Sequence, residues 1–239
     1  MTCAGVLLIA IYALLLTLLA LGITRASRRL GRSDAETRRS CWQGVALYGL
    51  WLALLLGLGA SGLLADFTTL PPRFVVFIVV VLLAAVAASW SSLGSLLAMG
   101  LPLRALVGFQ GFRVLVEIAL VVAYHEGLAP VQMTLEGYNF DIVSGVTALL
   151  VMVAMTRRPR RWLVVAWSIG AFALLVTIVV IALLSAPTPL RYFMNEPANT
   201  WVAHAPYILL PGAAVHAALV GHFLVLRRLW RETQAAPSA

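Results

Sequence analysis

Apolar residues dominate seven stretches of the chain, near 4–23, 43–64, 74–97, 105–125, 138–155, 162–184 and 204–226. Short polar segments separate them. A helix of about 20 apolar residues crosses the hydrocarbon layer of a bilayer. The pattern therefore predicts an all-α bundle of seven membrane-spanning helices, forming a single domain over residues 1–239. No internal repeat is visible, which argues against an inverted-repeat transporter. The fifth span is the shortest. Its uninterrupted apolar run, Ile142 to Met155, has 14 residues. To cross, that helix must begin near Gly137, which puts Asp141 about a turn inside it.

Charge placement orients the spans. All 17 basic side chains are arginine. Six (Arg25, Arg28, Arg29, Arg32, Arg38, Arg39) lie between the first two spans, and Arg104 lies between the third and fourth. Arg157, Arg158, Arg160 and Arg161 lie between the fifth and sixth, and Arg227, Arg228 and Arg231 follow the seventh. These 14 fall on one side, Arg73 and Arg191 on the other, and Arg113 within the fourth span. The arginine-rich side of a spanning protein is cytoplasmic. The expected protein is thus a multi-pass protein of the bacterial inner membrane, with its N-terminus outside and its C-terminus in the cytoplasm. The N-terminal stretch has no positive segment before its apolar run, so it reads as an uncleaved helix rather than a signal peptide.

Composition agrees: 62% of residues are hydrophobic and only 11% charged, with mean hydropathy +0.97. A net charge of +8 would suit nucleic acid, but its arginines flank apolar spans, so the expected partner is the lipid bilayer and not nucleic acid. The absence of lysine excludes a retinal Schiff base. Cys3 and Cys41 flank the first span on opposite faces and cannot pair within one chain.

Candidate chemistry concentrates on the fourth span. At 100° per residue, Gln110, Arg113, Glu117 and Tyr124 fall within about 60° of one another. A charge near mid-span costs several kcal/mol unless paired or hydrated, so this stripe must face the bundle interior. Arg113 and Glu117 stand i, i+4, within ion-pair reach. Two readings are open: a static pair that locks the bundle, and a ligand or proton site. In the fifth span Asp141, Ser144, Ala148 and Met152 share a face; Asp141 or Asn139 caps that helix, or Asp141 is an outer gate residue. In the seventh, His216 lies at a depth similar to Glu117, one turn inward of Pro211, and is the expected partner of that glutamate. His222, about 120° farther around the helix, reads as an anchor at the cytoplasmic end, and the spacing from His216 is not that of a zinc pair. At the outer helix ends, His125, Glu126, Glu136, Glu196 and His204 are candidate metal ligands, though no two stand in a diagnostic spacing. No cofactor is strongly implied. The outer segments 126–137 and 186–203 are long enough to fold over a cavity as a lid.

The stretch Phe109-Gln110-Gly111-Phe112-Arg113, with Glu117 and the run Met133-Thr134-Leu135-Glu136-Gly137-Tyr138-Asn139-Phe140-Asp141, resembles a group of bacterial multi-spanning membrane proteins. The resemblance covers roughly residues 101–155 and a last span with internal proline and histidine. That group has no established activity, so the resemblance implies a shared site and no mechanism. No nucleophile elbow, P-loop, dinucleotide glycine pattern or HExxH is present. The leading expectation is binding or passage of a small solute or proton through a polar cavity between the fourth, fifth and seventh spans. Arg113 would hold an anionic group or Glu117. The alternatives are a membrane-embedded metal- or haem-dependent enzyme or redox subunit using the outer His/Glu cluster, and a non-catalytic assembly or sensory protein.

Overall fold

A computed structural model describes residues 2–157 and 160–234; Arg158 of the third arginine cluster lies outside the described residues. No strand occurs among them. The helices are α1 (Cys3–Arg29), α2 (Asp34–Ala60), α3 (Arg73–Trp90), α4 (Ser92–Gly100), α5 (Leu103–Phe109), α6 (Phe112–His125), α7 (Ile142–Arg157), α8 (Arg161–Ser185) and α9 (His216–Gln234). A six-residue π-helix, Leu210–Val215, leads into α9. Six segments are long and apolar enough to cross a membrane: α1, α2, α3, the α5–α6 pair, α8 and the π-helix with α9. The chain is therefore built as a multi-pass membrane protein.

Local chemistry sets the ends. The Thr2 hydroxyl caps α1 by accepting from the amide of Gly5 at 3.1 Å. Gly31, at φ +69°, turns the chain out of α1, a conformation that a side chain would oppose. Ser33 and Glu36 form a reciprocal capping box at the start of α2. The expected third span, 74–97, is two helices. Ser91 ends α3 and caps α4, its hydroxyl accepting from the amide of Gly94 at 3.1 Å. The fourth span is interrupted at Gln110-Gly111, between α5 and α6. The last span is helical from Leu210, not from His204, and continues through the arginines to Gln234.

The last span is the centre of the bundle. Two-thirds (67%) of its most apolar window is buried, against 11% for α2, so α2 is peripheral. α9 packs on α3, α4, α5 and α8, and the π-helix adds contacts to α1 and α6. Pro211 has no amide to donate, and a π-helix displaces the normal hydrogen-bond ladder. The indole of Trp51 donates to the Gly212 carbonyl at 2.9 Å, satisfying a backbone group there.

The arginine-rich segments gather at one end, tied across helices. Arg227 donates to the Ser89 carbonyl at 2.6 Å and the Ser95 hydroxyl at 2.7 Å. Arg228 reaches the Met99 carbonyl at 3.0 Å, and Arg161 the Leu229 carbonyl at 2.6 Å. The Ser89 and Met99 carbonyls lie at helix C-termini, where a cation is favoured.

The fifth span departs most from expectation. Helix α7 begins at Ile142, not near Gly137, and Asp141 precedes it. The reason is register. Glu117 and Arg113 are four residues apart on α6, a rise of about 6 Å. A helical Asn139-to-Asp141 segment would rise only about 3 Å. A non-helical one advances up to about 3.3 Å per residue, or roughly 6.6 Å. Only that form lets Asn139 meet Glu117 while Asp141 meets Arg113.

A buried Arg–Asp pair beside an interior glutamate

Gln110, Arg113 and Glu117 are 0%, 2% and 1% exposed, so the stripe faces protein. Its pairing differs from the sequence reading. Arg113 does not pair with Glu117. Its Nε donates to Asp141 Oδ2 at 2.7 Å and its Nη2 to Asp141 Oδ1, a two-pronged ion pair. Nη2 also donates to the Ala171 carbonyl of α8 at 3.1 Å, and Nη1 meets His222 Nε2 at 3.3 Å. Four of the five guanidinium N–H groups are thereby engaged. Asp141 also accepts from the Ser144 hydroxyl at 2.9 Å. Asp141 thus stands at the start of α7 with its carboxylate on Arg113.

Close approach of α6 and α7 makes this pairing possible. A side chain at Gly145 would place its first carbon 2.8 Å from the Val114 amide nitrogen, inside van der Waals contact. Glycine lets the two backbones meet there, one turn beyond Asp141.

Glu117 has a separate partner. Asn139 Nδ2 donates to Glu117 Oε2 at 2.7 Å and to the Met133 carbonyl at 3.0 Å. The Asn139 side-chain oxygen Oδ1 accepts from the Asp141 amide at 3.0 Å. One asparagine therefore holds the Glu117 carboxylate and the Asp141 backbone. The other Glu117 oxygen, Oε1, accepts no hydrogen bond among the described residues.

His216 is not beside Glu117. Its ring lies against Trp51, centroids 5.4 Å apart. His222, expected as a cytoplasmic anchor, is fully buried. It stacks on Trp167 at 5.6 Å and meets Phe172 edge-on at 5.6 Å. Its Nε2 faces a donor, so Nε2 accepts and Nδ1 carries the proton. Gln110 donates to the Ala218 carbonyl at 2.9 Å, one turn from His222 on α9. Tyr124 lies outside the cluster, against the ring of His125 at 5.2 Å.

Beside this cluster is a cavity of about 70 Å³. Glu117, Arg113 and Asp141 are its ionisable lining groups, and nearly all the rest is aliphatic or aromatic. The fifth span contributes only Asp141. α3, α6, α8 and the π-helix with α9 supply most of the wall, so the cavity is not bounded by the fourth, fifth and seventh spans alone. Met133 and Val202, each 2% exposed, line it from the two long loops. Those loops meet. Asn195 donates to Gln132 at 2.8 Å, Gln132 donates to the Ser185 hydroxyl at 2.8 Å, and Tyr138 packs on Phe193 at 5.9 Å.

The outer acidic and histidine residues are dispersed. His125 and Glu136 form an exposed pair at 3.1 Å. Glu126 accepts from the amides of Cys3 and Ala4 at 2.6 and 3.2 Å, closing the N-terminus of α1. Desolvation raises its pKa, but those amide bonds outweigh it and hold the carboxyl below its ordinary value. Glu196 bonds Arg191 at 2.9 Å, and that bond lowers its pKa. His204 is exposed. Among the described residues, no three His, Cys, Asp or Glu side chains form a group able to hold a metal.

Sequence reasoning assigned neither His222 nor Asn139 to this site. One signal for His222 was available: it is flanked on both sides by apolar residues, five positions before the first arginine of the last cluster. Neither family models, nor characterised proteins, nor solved structures show a match to this chain.

Proposed function

We propose that this chain crosses the bacterial inner membrane seven times, N-terminus outside, and binds or passes a small solute or a proton at Glu117. Support for the seventh crossing comes from α7 and its lead-in. Sixteen residues of helix span about 24 Å, and non-helical residues 139–141 add up to roughly 10 Å. Irregular backbone is tolerated at membrane depth where protein buries it, and Asn139 and Asp141 are 1% and 5% exposed. The gathering of arginines at one end supports the orientation.

The observation that carries the functional reading is the Glu117 carboxylate at the cavity wall. One oxygen is held by Asn139 and the other is uncommitted. The Arg113–Asp141 pair is internally satisfied and serves as the lock. A buried acid with a fixed orientation and a free oxygen is suited to exchange a proton or accept a donor group.

The test is infrared spectroscopy of the purified, reconstituted protein. The expected result is a carboxyl band that shifts on deuterium exchange and disappears in Glu117→Gln. Superimposable spectra of the wild type and the variant would refute proton exchange at this residue.

A further inference from the structure

We infer that the cavity is entered sideways from the bilayer, between α3 and α8, by a membrane-dissolved amphiphile whose head donates a hydrogen bond to Glu117. This deepens the reading of Glu117 as the ligand-contacting group and rests on it.

Entry from the water is obstructed. The outer roof is made by Met133 and Val202, both buried, and the loops carrying them are joined through Gln132, Asn195, Tyr138 and Phe193. The flank is different. α3 and α8 both pack on α9, yet among the described residues they make no extensive contact with each other. Ile78 of α3 and Ile178, Val179, Ala182 and Leu183 of α8 line the cavity and are only half-buried. An aliphatic rim between two spanning helices faces lipid. It admits molecules already dissolved there and disfavours hydrated ions, which must shed water to pass.

The lining also selects the head group. A molecule with an anionic head would need Arg113, but Asp141, Ala171 and His222 already engage that guanidinium. Asp141 already accepts from Arg113 through both oxygens and from Ser144. Glu117 Oε1 remains, an acceptor whether the acid is ionised or neutral. The matching head is a donor, an ammonium or a hydroxyl. The matching body is a hydrocarbon chain or ring whose inner end fills the roughly 70 Å³ available while its remainder extends through the rim into lipid.

The experiment uses the full chain in phosphatidylcholine vesicles with three photoreactive probes: a long-chain amine, a long-chain alcohol and a long-chain fatty acid, each carrying a diazirine. The amine, the alcohol or both should label α3 and α8 at the cavity, roughly tenfold or more above the fatty acid, as expected for one hydrogen bond to a buried acceptor. Val179→Trp and Ile78→Trp, on opposite rims, should each abolish this labelling. Leu83→Trp, on the exposed face of α3, should leave it unchanged. Two rim variants are used so that misfolding of one leaves the other informative. Equal labelling by the fatty acid, labelling that survives both rim variants, or no label at the cavity would overturn the inference. So would equal competition by water-soluble ethylammonium, because that places the entry in the aqueous phase. Failure here with deuterium exchange at Glu117 intact would remove the amphiphile and leave the proton reading standing.

Discussion

Replacing Asp141 with asparagine should expose what the Arg113 pair contributes. Arg113 is 2% exposed and takes its two strongest contacts from the Asp141 carboxylate. Asparagine keeps the shape and one acceptor oxygen but removes the charge. The Arg113 guanidinium is then left with the Ala171 carbonyl, His222 and an amide. Removing one partner of a buried pair costs about 3–5 kcal/mol, because the other charge remains buried and uncompensated. Insertion energetics for an unpaired arginine at a helix centre give about 2.5–3.5 kcal/mol. Both routes place the loss near or above about 3 kcal/mol, two or more orders of magnitude in the folded-to-unfolded ratio. The Arg113→Met, Asp141→Leu double variant should recover most of it, since well-packed apolar replacements of a buried pair are often neutral. Glu117→Gln gives the contrast. The new amide oxygen still accepts from Asn139, and no buried cation depends on Glu117, so its cost should stay below about 1 kcal/mol. The assay is equilibrium unfolding in mixed micelles, followed by tryptophan fluorescence, with Trp167 beside the site. A loss below about 1 kcal/mol for Asp141→Asn, or single-variant losses that simply add in the double variant, would refute the lock.

Two further outcomes follow from the ends of the bundle. Reporter fusions after Arg39, Arg161 and Arg231 should read cytoplasm, and fusions near Met133 and Asn195 the outside; an outside reading after Arg161 would overturn the seven-crossing proposal. The Glu126 tether should fail in acid. Its folded pKa lies below the ordinary glutamate value, so its contribution is full above that value and is lost as pH falls through the lower folded one. Hydrogen exchange at the Cys3 and Ala4 amides, corrected for intrinsic rate, should be slowed at neutral pH and lose that protection as pH falls below the ordinary glutamate range. Glu126→Gln should weaken the protection at neutral pH. Protection independent of pH would contradict the assignment.

Legible in the chain were the length, grouping and buried face of a span, which depend on one helix and its solvent. Apolar length marks the spans because hydrocarbon accepts only satisfied backbone. Arginine position groups the ends, and periodicity alone shows that Gln110, Arg113 and Glu117 share a buried face. Partner choice depends on other segments and needed the tertiary structure. Sequence spacing puts Glu117 within reach of Arg113, but Asp141, 28 positions away in the chain, comes closer because Gly145 lets α7 approach α6. His222, and not His216, meets Arg113: six residues of helix set the two rings about 120° apart, and His216 faces Trp51 instead. The late start of α7 also depends on another segment. Residues 139–141 meet two side chains on a neighbouring helix, and only a non-helical segment matches that spacing.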